Sequence, residues 1–183
     1  MVRLGEPERQ RRFLDQLQQH ISTLPWVYAV IVIGSLAAGR ADGASDIDLL
    51  VGVRNGAFSQ AWPSRADLRV TGTVLSWDHW LDERRHAGTH KWLTADFVLV
   101  EALIAVPASG VRLAPPWRVL AGDPRVADRW PPRPPISRDE LRSSPGDLHP
   151  VEVAYDEFKA RLRSAASATS LVPAQSSPTL GSQ

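Results

Sequence analysis

Phe13, Leu14, Leu17, Ile21 and Leu24 recur three and four residues apart, with charged residues and Gln between them. That period is one face of a helix, so residues 7 to 22 are expected to form an amphipathic helix that Pro25 ends. The pattern then changes. Val27 to Ile33 carries no charge and is mostly β-branched, as in a strand buried on both faces. Gly34 and Ser35 terminate it, and Gly39 and Gly43 punctuate the way to a second strand, Ile47 to Val53. Arg54-Asn55-Gly56 reads as a turn, followed by a short helix from Ala57 to Trp62.

Val70 to Trp77 reads as a third strand, and the charged segment DERRHAGTHK follows at 82 to 91. Thr94-Ala95-Asp96 is expected to turn between Lys91-Trp92-Leu93 and a long strand, Phe97 to Val106. From Pro107 to Pro150 the Pro and Arg content rises, which predicts extended, irregular chain with a small strand at Trp117 to Leu120. Val151 to Leu162 is expected to be a short helix with Val153 and Tyr155 facing inward. From Ser164 onward Ala, Ser, Thr, Pro and Gln dominate, a composition that cannot support a core and predicts a disordered tail.

Composition narrows the function classes. With 183 residues the chain is one domain's worth, and a net charge of +1 lacks the basic field of a dedicated nucleic-acid binder. There is no cysteine, which excludes disulfides, thiolate catalysis and Cys-ligated zinc. The N-terminus MVRLGEPERQRR has no apolar segment of signal-peptide type, and the longest apolar stretch, Trp26 to Ala38, is too short to span a bilayer. These features predict a soluble, cytoplasmic protein without a membrane partner.

The chemistry concentrates in GSLAAGRADGASDIDLLVG at 34 to 52. Asp46 and Asp48 stand two apart on a strand and therefore share a face. Either the strand end is solvated, or the two carboxylates clamp a hard cation such as Mg²⁺. Glu101 is the only charge in the apolar run FVLVEALIAV. An ionised Glu there needs a partner: it is neutral, paired with a base, or joined to the aspartates through a metal. Three acids on adjacent strands form a scaffold for two-metal phosphoryl chemistry. Ahead of them, Gly34 lets backbone N–H groups approach a phosphate and Ser35 adds a hydroxyl donor.

The order IGS (Ile33 to Ser35), DIDL (Asp46 to Leu49) and VEA (Val100 to Ala102) resembles the nucleotidyltransferases of the DNA polymerase β superfamily. The longer form GSxAxG…SDIDLLV resembles small bacterial members, among them antibiotic-modifying and minimal nucleotidyltransferases. The likeness is tight over about residues 26 to 53 and looser to about 123, where WRVLAGD (117 to 123) is similar to a late strand and turn.

The resemblance implies an α+β (mixed α/β) fold, a small mixed sheet flanked by helices, in a domain over 1–163 with its core at about 7–123 and a tail at 164–183. It implies that Asp46, Asp48 and Glu101 are catalytic and hold two Mg²⁺ ions. Gly34, Ser35, Arg40, Ser45 and Lys91 would contact a nucleoside triphosphate, taken as ATP. A hydroxyl would attack the α-phosphorus, transferring AMP and releasing pyrophosphate. The acceptor would be a small molecule of aminoglycoside type or, in an antitoxin of this fold, a HEPN-type toxin protein. An inactive nucleotide-binding domain is the third reading, and retention of these residues argues against it. Ala38 stands where many small members carry Arg, with Arg40 on the other side of Gly39.

Other candidates carry less. Asp96 competes with Glu101 as the third acid but lies in an expected turn. His86 and His90 are four apart, yet Gly88 between them argues against a shared helix face and a zinc site. Lys91 reads either as a solvated strand end or as a phosphate contact. Trp77, Trp80 and Trp92 either pack in the core or gather near the cleft, and Arg118 is a further candidate for the triphosphate.

Overall fold

The computed structural model describes residues 7–132 and 150–169. It contains the strands β1 (Val27–Ile33), β2 (Ile47–Val53), β3 (Thr73–Asp82), β4 (Ala87–Thr94), β5 (Leu99–Ala105) and β6 (Arg118–Ala121). The helices are α1 (Glu8–His20), α2 (Gly34–Ala37), α3 (Phe58–Ala61) and α4 (Pro150–Thr169), with short 3₁₀ turns between elements. The expectations for 133–149, within the Pro/Arg-rich extension, and for 170–183, in the tail, lie outside the described residues.

The strands form one mixed sheet in the order β3-β4-β5-β2-β1-β6. β1 runs antiparallel to β2, with Ile33 opposite Asp48 and Val27 opposite Val53. β2 and β5 are parallel and in register over Ile47–Gly52 and Val100–Ala105. A parallel pair needs a long crossover, and here it holds α3, the 3₁₀ turn Pro63–Leu68 and the β3–β4 hairpin. β4 is antiparallel to both neighbours, and β6 closes the other edge against β1.

Alternation along the strands builds two faces. On one, Val30, Val32, Leu49, Val51, Val100 and Ile104 pack with Phe13, Leu14 and Leu17 of α1. On the other, Ala29, Ile31, Leu50 and Ala105 pack with Leu113, Val126 and Trp130. Asp46, Asp48 and Glu101 follow the parity of Leu50 and Leu103, so they continue this second face past its apolar part. The apolar runs of β1, β2 and β5 are long because those strands are central and covered on both faces.

The hairpin differs from expectation. The third strand starts at Thr73 and runs to Asp82, and the segment read as a charged loop supplies most of β4. The charges of Glu83, Arg84 and Arg85 sit in the exposed turn, whereas Ala87 to Lys91 are buried. Gly88 makes this close packing possible: a Cβ there would come 2.5 Å from the Trp62 ring. Composition averaged over the segment hides that division.

Contacts divide the chain into Met1–Pro145 and Gly146–Gln183. The described part of the second unit is α4, which runs on to Thr169, beyond the expected end at Leu162 and into the stretch expected to be disordered. Within it Tyr155 stands 6.2 Å from Phe158, and Lys159 pairs with Asp156 at 2.8 Å. Tyr155 is buried as expected, but Val153 is exposed. No helix among the described residues is long and apolar enough to cross a membrane.

Candidate functional site

The site grows from a single row across the sheet. Ile33, Asp48, Glu101, Lys91 and Trp77 are successive paired neighbours on β1, β2, β5, β4 and β3. Paired residues on neighbouring strands point to the same face and lie about 5 Å apart. The register therefore sets Glu101 directly beside Asp48 and Lys91 directly beside Glu101. Asp46, just before β2, shares the face of Asp48.

Gly34 closes the row at the β1 end. Its φ of +68° is the left-handed region that Gly enters without penalty. A Cβ at this position would run into the Asp48 carboxylate, with Asp48 Cγ only 3.1 Å away. The absent side chain is the space in which that carboxylate sits. Ser35 follows in α2, half-buried, and the turn is closed by the Arg40 N–H donating to the Ser35 carbonyl at 3.0 Å. Arg40 itself is exposed.

Helix α1 holds the loop that delivers the aspartates. The buried Gln10 amide donates to the Ser45 carbonyl at 2.8 Å, and Arg9 donates to the Gly43 carbonyl at 2.6 Å. Ser45 is itself part of this clasp. Its hydroxyl donates to Asp42 Oδ1 at 2.8 Å and accepts the Asp42 N–H at 2.9 Å. The structure thus gives the Ser45 hydroxyl a loop-closing role next to Asp46.

Glu101 carries the row to its open end. Its side chain is 40% exposed at the open end of the face, and its Oε2 accepts from Lys91 Nζ at 2.9 Å. The Lys91 side chain is only 9% exposed. It lies mid-strand in β4 rather than at a solvated strand end, because the carboxylate opposite supplies its counter-charge. Among the described residues no three His, Asp or Glu side chains are gathered closely enough to hold a metal ion. Asp46 and Asp48, two half-buried aspartates on one face, could hold Mg²⁺. That ion is usually bound through one or two carboxylates and completes its shell with water and phosphate oxygens.

The other candidates are placed elsewhere. Asp96 lies in the β4–β5 turn and borders a cavity of about 150 Å³ with Arg9, Arg12 and Phe13 of α1, on the far side of the sheet. Arg118 pairs with Val32 and so belongs to the α1 face. Trp92 is also on that face, fully buried, whereas Trp77 and Trp80 share the face of the acids. His86 and His90 do not come together: His86 is in the exposed hairpin turn and His90 is buried in β4.

His90 belongs to a network that the residue pattern did not reveal. Its Nδ1–H donates to Asp78 at 2.8 Å, and Arg65 grips both Asp78 oxygens at 2.7 Å through Nε and Nη2. The imidazole stacks on Trp92 with ring centres 5.6 Å apart. Burial lowers the His90 pKa from its usual 6.5, and the Asp78 bond opposes that only in part. Burial works to raise the Asp78 pKa, but the hydrogen bonds from Arg65 and His90 outweigh it and the net shift is downward. The network is on the α1 face, so it braces the hairpin behind Lys91 and faces away from the aspartates.

Residues 9–85 match the family model of the nucleotidyltransferase domain, a span that includes Gly34, Ser35, Asp46 and Asp48 and stops short of Lys91 and Glu101. No curated protein matches the sequence. Among solved structures, the chain is similar to Cid1, described as having RNA terminal uridylyl transferase activity, at 19% identity and a TM-score of 0.42 over 56% of this chain. Cid1 with its short product ApU (17%, 0.40, 55% of this chain) and with the UTP analogue UMPNPP (18%, 0.38, 56%) is also similar. The chain spans 32–34% of the length of those proteins. The Gly-Ser turn after β1 and the aspartate pair on β2 both lie within the span that matches the nucleotidyltransferase-domain model.

Proposed function

We propose that this nucleotidyltransferase domain transfers a nucleotide, AMP from ATP, to a hydroxyl of a small-molecule acceptor. The observation that carries the reading is the register that sets Glu101 beside Asp48, with the Asp48 carboxylate resting over Gly34. Asp46 and Asp48 would hold Mg²⁺, which when bound offsets phosphate charge and polarises the phosphoryl group. Gly34 leaves the turn open to close approach by a phosphate, and the Ser35 hydroxyl and Arg40 side chain add a donor and a positive charge on the same connection.

In the transfer, the acceptor oxygen forms a bond to the α-phosphorus. The bond from that phosphorus to the oxygen bridging to the β-phosphate breaks, and pyrophosphate leaves with the electron pair. The acceptor proton passes to Glu101 Oε1, while Oε2 stays on Lys91. Lys91 keeps the base in place and presents positive charge to the phosphates.

Purified protein with Mg²⁺ and each of the four α-labelled nucleoside triphosphates, given a panel of aminoglycosides and a cell lysate, tests the reading. Label on a small molecule supports it, and label on a protein moves the acceptor to the toxin class. Asp48→Asn is expected to abolish transfer with an unchanged circular dichroism spectrum. Transfer near the wild-type rate in that variant would rule out the assignment.

A further inference from the structure

We infer that the acceptor is a hydroxylated compound of two or more rings, held against the indoles of Trp77 and Trp80 on the β3–β4 hairpin. The inference rests on the nucleotide-transfer reading and deepens it by naming the class of acceptor.

The placement of the indoles starts from a bulge. Trp77 and Trp80 are three positions apart, so in a regular strand they would point to opposite faces. The register of β3 slips between Asp78 and Trp80: Trp77 pairs with Lys91, Asp78 with His90 and Trp80 with Thr89. The extra residue, His79, returns Trp80 to the face of Trp77 and the acids. Bulges recur beside active sites, where they re-aim a side chain. Leu75, opposite Leu93, extends the same face, and Leu75 and Trp80 are each 39% exposed.

The row gives these side chains their direction. From the Gly34 turn it runs through Asp48, Glu101 and Lys91 to Trp77. In-line displacement sets the incoming oxygen opposite the leaving pyrophosphate. With the phosphates at the Gly34 turn, the acceptor enters over Glu101 from the side of the hairpin. Trp77 stands two strand spacings from Glu101, about 10 Å. Trp80 lies one row further along, beyond Thr89 and Leu103. A compound that presents a hydroxyl to Glu101 and rests on both indoles therefore needs more than one ring. Indole faces take flat or carbon-faced rings and attract the amines of a cationic one.

The test follows label from α-labelled ATP, on the full-length chain, onto the aminoglycoside panel and the small molecules of a cell lysate. Labelled products are identified by mass, and kcat and KM are measured for the compound that takes label. Trp80→Ser is expected to raise that KM about tenfold with kcat changed less than about threefold, and Trp80→Phe to recover most of the loss. Leu81→Ser is the control: Leu81 is the next residue, 40% exposed, but pairs with Gly88 on the opposite face, so its KM is expected to stay at the wild-type value. Affinity for a non-hydrolysable ATP analogue with Mn²⁺, read from the electron paramagnetic resonance signal of free Mn²⁺, is expected to change less than about twofold in Trp80→Ser.

An acceptor with one ring or none, or a wild-type KM in Trp80→Ser, would overturn the inference. So would an equal rise in Leu81→Ser, or analogue binding weakened as much as the acceptor KM, which would give the indole to the nucleobase. Label confined to protein would overturn it while leaving nucleotide transfer standing. Absence of label on any acceptor would instead sink the nucleotide-transfer reading itself, and the inference with it.

Discussion

Gly34→Ala perturbs the backbone and the carboxylate at once, and the two effects can be separated. At φ +68° an L-residue costs about 1–2 kcal/mol relative to the right-handed region. The new methyl would also stand 3.1 Å from Asp48 Cγ and 3.4 Å from its Cβ, inside the roughly 3.5–4.0 Å optimum for carbon pairs. Turning Asp48 off its rotamer to relieve that contact adds about 0.5–1.5 kcal/mol. The total is about 2–3 kcal/mol, which for a chain of this size is roughly 4–12 °C in Tm. Urea denaturation of Gly34→Ala, Asp48→Ala and the double variant isolates the contact. With Asp48 shortened, Gly34→Ala is expected to cost only its backbone part, leaving a coupling of about 1 kcal/mol. Analogue-dependent Mn²⁺ binding by Gly34→Ala is expected to weaken at least about tenfold, since the displaced carboxylate is a proposed metal ligand. Additive stabilities, together with unaltered Mn²⁺ affinity, would refute the argument that the glycine makes room for that carboxylate.

Two further outcomes follow from the surroundings of the row. Ser45→Ala removes the clasp on Asp42 and should cost about 1–2 kcal/mol in urea melts while leaving the KM for the triphosphate unchanged; a raised KM at full stability would return Ser45 to the nucleotide. His90 has a folded pKa below its unfolded 6.5, so the unfolded chain binds more protons and stability falls as pH drops below about 6.5 toward the folded value. Denaturation midpoints between about pH 5 and 8 should show that decline, and His90→Gln should flatten it. A slope identical in both proteins would place the titrating group elsewhere.

What could be read along the chain was local. The β-branched run of β1, the helical period of α1 and the Gly-Ser turn followed by two aspartates each rest on a few neighbouring residues, and all stand where expected. The hairpin was missed because His90 and Lys91 look like solvent-facing residues until their partners are known. Asp78, Arg65 and Glu101, which make their burial tolerable, lie 12, 25 and 10 positions away from them. Glu101 was legible as an anomaly in an apolar run, and the run was long because β5 is central.

The sequence by itself determined the periodicities, the glycine that a tight turn requires and the shared face of Asp46 and Asp48, since a strand's alternation needs no other chain segment. Only the tertiary structure decided what stands beside them. Register between β2, β5 and β4 is a property of packed strands, and it chose Glu101 over Asp96 as the neighbour of Asp48. It also put Lys91 against Glu101, because a buried ammonium must have its counter-charge within reach, and no local pattern says which carboxylate that will be.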